Sequence, residues 1–344
     1  MVEIQASELN DKLAYLAFGA SKTASKLEYS DCVMFLGGKA YCFSGSSVAI
    51  VPLDLGFEGS VNYADLSEYA RTSSYVNSSA IIRIETNGNK VVLGNNRSVT
   101  QLPYTPNVVL TLDTVANPLD DEWKPIPPGF NKAIKRCESV YTREIMSDNI
   151  LSCIHVTGKC VEAATPEQAV RVQCTMDIPH EFLIKFGRVG RLFGAKFPTP
   201  EEYQICEKWM FFRSFDTVFG IPISRDKFVT LDRFFIPGDQ EVVLPDAVSM
   251  DLPFFQRFYT QDGNSILLAF KGDHCELSIR ARRGQHSVDI PMECPNGESY
   301  LVTPALLRTL AKYGKCSFTG NRVYIKTDDM DYAASVTREG EYAL

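Results

Sequence analysis

The chain has 344 residues, 45% of them hydrophobic and 22% charged, which suits two or three globular domains and excludes wholesale disorder. Its formal net charge of −7 excludes a uniformly basic nucleic-acid binder and leaves room only for local basic patches. No apolar run reaches the roughly 18 residues of a membrane span, and Met1 to Asn10 has neither a basic patch nor an apolar stretch of secretory type, so a cytoplasmic protein is expected.

In chain order, Leu9, Leu13, Leu16 and Phe18 make the apolar stripe of a first helix. The run Val33 to Phe43 follows, two strands about a Gly37-Gly38-Lys39 turn, then a helix over Tyr63 to Thr72 and a hairpin over Ile81 to Leu93. The same order then starts again. Pro127-Pro128 opens a helix striped by Phe130, Ile134 and Val140, and Cys153 to Ala163 is a hairpin about Gly158. A helix is expected over His180 to Arg191, and a hairpin over Tyr203 to Phe212. A third round begins with a helix near Leu252 to Phe258, interrupted by Pro253, and a hairpin about Gly272 in Leu268 to Leu277. It ends with a helix over Pro304 to Tyr313 and a hairpin over Cys316 to Ile325.

The glycines Gly38, Gly158 and Gly272 stand 120 and 114 residues apart, and the later turns with Lys90, Lys208 and Arg322 stand 118 and 114 apart. Two separate landmarks thus share one period. It is too long for a solenoid unit, so each copy is a small domain. The polar stretches Asp120-Asp121-Glu122 and Pro237-Gly238-Asp239 mark the boundaries. The expected domains are 1–121, 122–238 and 239–344, each α+β with two helices on antiparallel sheet.

Ten scattered cysteines contain no CxxC pair and read as small buried hydrophobes in a reducing compartment. The four histidines stand far apart, with nothing local to support a metal or catalytic role. Asp328, Asp329 and Asp331 could bind a metal, but they fall where the last hairpin should turn, and a solvated turn is the preferred reading.

Polar positions on the helices carry more information. Lys132, Lys135 and Arg136 stand at i, i+3 and i+4, with Arg143 beyond; Lys185, Arg188 and Arg191 recur every third residue, and Lys196 follows them; Arg308 and Lys312 stand at i and i+4. The first copy is mixed: Lys12, Lys22 and Lys26 add positive charge, but Asp65 and Glu68 accompany Arg71. Charged helix faces usually face solvent without further meaning. An acidic chain that gathers bases on repeated helices is, however, segregating charge, which makes a local field for phosphates.

Together the three copies, the helix Ile126 to Tyr141, the stretch Phe228 to Pro237 and the junction Tyr300 to Leu307 resemble the β subunit of bacterial DNA polymerase III, the sliding clamp. The resemblance is one of pattern over nearly the whole chain. It implies three tandem DNA-clamp domains and a head-to-tail homodimer, a ring lined by helices around duplex DNA. It also implies partners: a DNA polymerase and a clamp loader, bound through short peptides in an apolar pocket between the second and third domains. The implied DNA-contacting residues are Lys12, Lys22, Arg71, Lys132, Lys135, Arg136, Lys185, Arg188, Arg191, Arg308 and Lys312. The implied pocket residues are Thr165, Val170 and Pro237. The family's Thr-Asp-Gly-His-Arg-Leu segment appears here as Thr165 to Val170, and Thr337 to Leu344 replaces its usual C-terminus, a divergence that would suit a bacteriophage clamp.

No Walker loop, GxGxxG, HExxH or nucleophile elbow occurs, so neither an enzyme nor a cofactor or metal is expected. A repeated-domain viral structural or interaction protein is the other reading. It explains the repeat as well but leaves the basic helix faces without a purpose.

Overall fold

A computed structural model describes residues 1–21, 29–95, 98–106, 123–141, 150–194, 196–238, 240–259, 265–281 and 284–339. The fold is α+β, with mostly antiparallel sheet and a few helices. The first round consists of β1 (Val2–Gln5), α1 (Ala6–Leu16), β2 (Cys32–Leu36), β3 (Lys39–Phe43), β4 (Val48–Pro52), β5 (Gly59–Asn62), α2 (Tyr63–Val76), β6 (Ile81–Asn87), β7 (Lys90–Gly94) and β8 (Val99–Thr105). The second comprises β9 (Lys124–Pro125), α3 (Phe130–Glu138), β10 (Cys153–Val156), β11 (Cys160–Ala164), β12 (Gln168–Gln173), β13 (Phe182–Lys185), α4 (Val189–Leu192), β14 (Glu202–Cys206), β15 (Trp209–Ser214) and β16 (Thr217–Ser224). The third runs through β17 (Gln240–Val243), α5 (Ala247–Phe258), β18 (Ile266–Lys271), β19 (His274–Ala281), β20 (Gly284–Pro291), β21 (Asn296–Val302), α6 (Pro304–Tyr313), β22 (Lys315–Thr319), β23 (Arg322–Thr327) and β24 (Met330–Ser335). A short β25 (Thr337–Arg338) ends it. Among the described residues, one order of strand, helix, three strands, strand, helix and three strands therefore occurs three times.

By contact density the chain divides into two compact units, each drawn from two stretches: Met1–Ile134 with Ile178–Asp226, and Lys135–Asp177 with Lys227–Leu344. In the first unit every strand pairing among the described residues is antiparallel, and β4 pairs with β16 in the register Val48↔Gly220 to Ile50↔Val218. Phe43, Val48, Ile50, Trp209 and Phe211 bury one cluster at this junction. Glycine is required at 220: an added Cβ would lie 2.5 Å from Val48 Cγ1 and 2.7 Å from the Phe211 ring. In the second unit β12 pairs with β24, from Gln168↔Ala334 to Val172↔Met330. Both junctions use the same parts. The third strand of an early triplet (β4, β12) meets the third strand of a later one (β16, β24).

The sequence-expected hairpins all form, as do the helices of the first and third rounds. The exception is His180 to Arg191, which is no single helix. Phe182–Lys185 is a strand paired with β16, and the helix after it is the single turn Val189–Leu192. Phe182, Leu183 and Ile184 are all buried, a continuous apolar run that suits a strand covered on both faces. Gly187 and Gly190 disfavour a longer helix. Pro253 does not break α5, because Val248, Leu252 and Phe255 bury its inner face while Pro253 itself faces solvent. Local signals set α6 more fully: the Thr303 side chain caps it by accepting from the Leu306 N–H, Pro304 occupies its first turn, and Gly314 ends it at φ 70°.

Asp328 and Asp329 make the β23–β24 turn, and the Asp331 carboxylate accepts from the Tyr324 hydroxyl at 2.5 Å. Cys42, Cys137, Cys275 and Cys316 are core residues, and burial pushes the thiols of Cys275 and Cys316 up to about 12. Among the described residues no helix is long and apolar enough to cross a membrane.

Candidate nucleic-acid interface and partner cleft

Helix periodicity decides which cations reach solvent. In α3, Phe130, Ala133, Ile134 and Cys137 turn to the core, so Lys132 and Lys135 are exposed one turn apart. In α6, Leu306, Leu307, Leu310 and Ala311 are buried, and Arg308 and Lys312 are exposed on the opposite face. Lys185 is exposed at the end of β13, and Arg257, which the sequence pattern did not single out, is exposed in the last turn of α5.

Lys196 is exposed as well, whereas Arg136, Arg188, Arg191, Arg71 and Lys12 are engaged within the protein. Arg136 is largely covered and pairs with Asp329 at 2.7 Å, tying α3 to the β23–β24 turn. Arg188 donates to the hydroxyls of Ser46 and Ser47 at 2.6 and 3.1 Å, and its burial lowers its pKa from the usual arginine value. Arg191 donates to the Ala17 carbonyl at 2.8 Å and lies over the rings of Phe18 and Phe197. Arg71 is exposed but bound to Glu68, three residues earlier on α2. Lys12 is mostly sheltered, with its amine 3.8 Å from Asp216. Lys22, Lys26 and Arg143 lie outside the described residues.

A second feature, within the second unit, is a cleft of about 590 Å³ between the β11–β12 turn and the irregular segment after Asp226. Thr165, Phe228, Leu231 and Phe234 contribute to its walls, with Lys227, Arg233 and Arg322 at its edges. Thr165 shapes the turn, because its hydroxyl accepts from the N–H groups of Glu167 and Gln168. The 228–235 segment has no ladder to hold it, and two arginines take that part. Arg171 donates to Asp232 at 2.8 Å and lies over the Phe235 ring, while Arg322 donates to the Arg233 carbonyl at 2.7 Å and lies over Phe234. Beneath them the buried Glu162 carboxylate accepts from Arg171 and pairs with His155, whose ring lies tilted against Phe228 at 4.9 Å between centroids. Burial would raise the Glu162 pKa, but these bonds outweigh it and hold the group below the usual carboxylate range.

Of the three residues assigned to the pocket, Thr165 lines this cleft. Val170 is buried in β12 opposite Tyr332, and Pro237 is exposed beyond the cleft-lining segment. Arg322 stood out in the sequence only as a turn residue, and its contact with Arg233 spans 89 residues. No local pattern announces such a contact.

No family model matches the sequence, and no curated protein matches it. Solved structures do. A DNA polymerase III β subunit from Eubacterium rectale matches with a TM-score of 0.78 and 12% identity, over 97% of this chain and 98% of that one. The Pseudomonas aeruginosa sliding clamp, solved with griselimycin, matches at 0.76 and 15% over 98% of both chains. The Bacillus subtilis DNA polymerase sliding clamp matches at 0.75 and 13%, again over 98% of both. The chain has the sliding-clamp fold. At these identities the clamp fold is carried by the order and pairing of elements, which is also what the repeat in the sequence recorded.

Proposed function

We propose that this protein is a DNA polymerase processivity factor: a non-enzymatic clamp that encircles duplex DNA and tethers a replicative polymerase to it. The observation that carries the reading is the clamp fold over almost the full length of this chain and of its structural neighbours. In this proposal the repeats are three clamp domains, 1–121, 122–238 and 239–344, and no metal or cofactor takes part.

Sliding requires binding without base readout. Phosphate contacts position a protein on duplex DNA but carry no sequence information. The exposed pairs Lys132/Lys135 and Arg308/Lys312, with Lys185, supply weak contacts of this kind on an acidic chain. Arg136, Arg188 and Arg191 are bound within the fold, so their part in this proposal is to hold the elements that carry the exposed cations. The cleft at Thr165 and Arg322 is the proposed seat for peptides of the polymerase and of the clamp loader.

A second copy is the proposed means of closing the ring. Third strands of early and late triplets meet at both internal junctions, and two such strands are left over: β20 and β8. Among the described residues β20 pairs with β19 alone, and β8 pairs along its length with β7 and with β5 only at Tyr104 and Thr105. By the same rule, β20 of one copy would join β8 of another in a homodimer. In this reading the clamp acts in the cytoplasm of a bacterium, or of a phage-infected host.

The test combines mass with function. Light scattering should report a dimer, and the protein, once loaded on primed circular DNA, should lengthen the products of its cognate polymerase. A monomer at micromolar concentration with unchanged product length overturns the reading.

A further inference from the structure

Outside the features used so far, the first unit holds a cavity of about 450 Å³ between the outer face of α1 and the tip of the β15–β16 hairpin. We propose that this cavity receives a cationic side chain, an arginine or a lysine, presented by an extended segment of a partner protein. The inference does not rest on the clamp reading.

Its charge is unbalanced. Glu8 and Asp11 stand one turn apart on α1 and Asp216 faces them from the hairpin, with Lys12 as the one cation among the described lining residues. At 3.8 Å the Lys12 amine is too far from Asp216 for a hydrogen bond, so three carboxylates share one loosely held charge. A second observation is the Ser214 hydroxyl. Ser214 is 1% exposed and lines the cavity, and its Oγ is buried with no hydrogen-bond partner among the described residues. A buried hydroxyl without a partner costs about 1–3 kcal/mol, and an N–H donor entering the cavity would relieve that cost. The third is Phe215. Its ring is 79% exposed, and its backbone sits at φ 52°, a left-handed conformation unfavourable for an aromatic residue. The hairpin thus holds an aromatic face beside carboxylates, and Tyr15 also lines the cavity. A guanidinium is suited to such a place: it bonds carboxylates in a fork and stacks on aromatic faces.

The probe is a fluorescein-labelled peptide, Gly-Ser-Arg-Leu-Arg-Ser-Gly, titrated with the full chain and followed by anisotropy. Saturable binding is expected, with an analogue carrying citrulline for arginine not bound. Asp11→Asn combined with Asp216→Asn should weaken binding at least about tenfold, as loss of charge-assisted hydrogen bonds does. Phe215→Asn removes the ring and suits a positive φ, so it should weaken binding without lowering the melting temperature. Ser214→Ala should also weaken binding while leaving stability equal or higher, because it deletes an unsatisfied group; a merely structural serine would not separate the two readouts. Absence of saturation overturns the proposal. So does equal weakening by Glu293→Gln, outside the cavity lining, which would reveal general attraction to an acidic surface.

Discussion

At the scale of single residues, the two arginines that hold the 228–235 segment make unequal predictions. Arg322 is exposed and reaches its partners from the start of β23, so Arg322→Ala should leave the melting temperature nearly unchanged. On the proposed function it should weaken capture of a polymerase-derived peptide several-fold, measured by anisotropy, because Phe234 and the Arg233 carbonyl lose their hold. Full affinity in this variant would remove the arginine from the cleft's binding role. Arg171 instead serves the buried Glu162. That carboxyl titrates below its ordinary value in the folded state, so its contribution to stability is present above the unfolded value of about 4.3 and is lost as pH falls through the folded one. Urea unfolding should therefore show Glu162→Gln less stable than the parent by about 2 kcal/mol at pH 7, with the gap closing below roughly pH 4. A gap independent of pH would mean that packing, and not charge, is what Glu162 supplies.

Residue roles were also where the sequence was least informative. Spacing grouped Lys185, Arg188 and Arg191, yet Lys185 is exposed while Arg188 and Arg191 are bound to serines and to a backbone carbonyl within the fold. Arg188 is spent on serines more than 140 residues away. A cation at helical spacing looks the same in sequence whether it meets water or a distant hydroxyl.

Elements were legible where a local rule governs them. Thr303, Pro304 and Gly314 bound α6 by capping chemistry alone, and the Gly turns placed the hairpins. The failure at β13 has the same logic reversed: Phe182–Leu183–Ile184 has no period, and burial on both faces decided for a strand. On the proposed function, the exposed faces of α3 and α6 make a prediction of their own. Changing Lys132 and Lys135 together to Glu, or Arg308 and Lys312 together to Glu, should weaken DNA retention and reduce the salt slope by about 2 for each pair, with no change in sequence preference. An unchanged slope would take that helix off the DNA path. The β4–β16 junction can be tested separately. Gly220→Ala should destabilise by roughly 1–3 kcal/mol, since its Cβ would press on Val48 and Phe211 in a packed sheet where neither can withdraw freely. Thermal unfolding at parental temperature would show that the junction tolerates side-chain volume.

At the scale of the whole molecule, the period of the sequence and the pairing of strands say the same thing at different resolution. Period alone showed three copies. It could not show that the middle copy offers one third strand to its predecessor and one to its successor, because pairing between copies depends on partners about 170 residues apart, as between Val48 and Gly220 or Gln168 and Ala334. A repeat joined in that way leaves one donor and one acceptor strand at its two ends, and an open edge of this length invites pairing. On the proposed function, self-association through β8 and β20 would satisfy both edges at once, and closure into a ring would leave none over. Val99 lies on β8 and is 68% exposed in the single chain, an apolar residue waiting on an open edge. Val99→Asp should therefore leave the circular dichroism spectrum unchanged while shifting the light-scattering mass from two copies towards one, and processivity should fall with it. A dimer of undiminished strength would show that closure, if it occurs, does not run through β8.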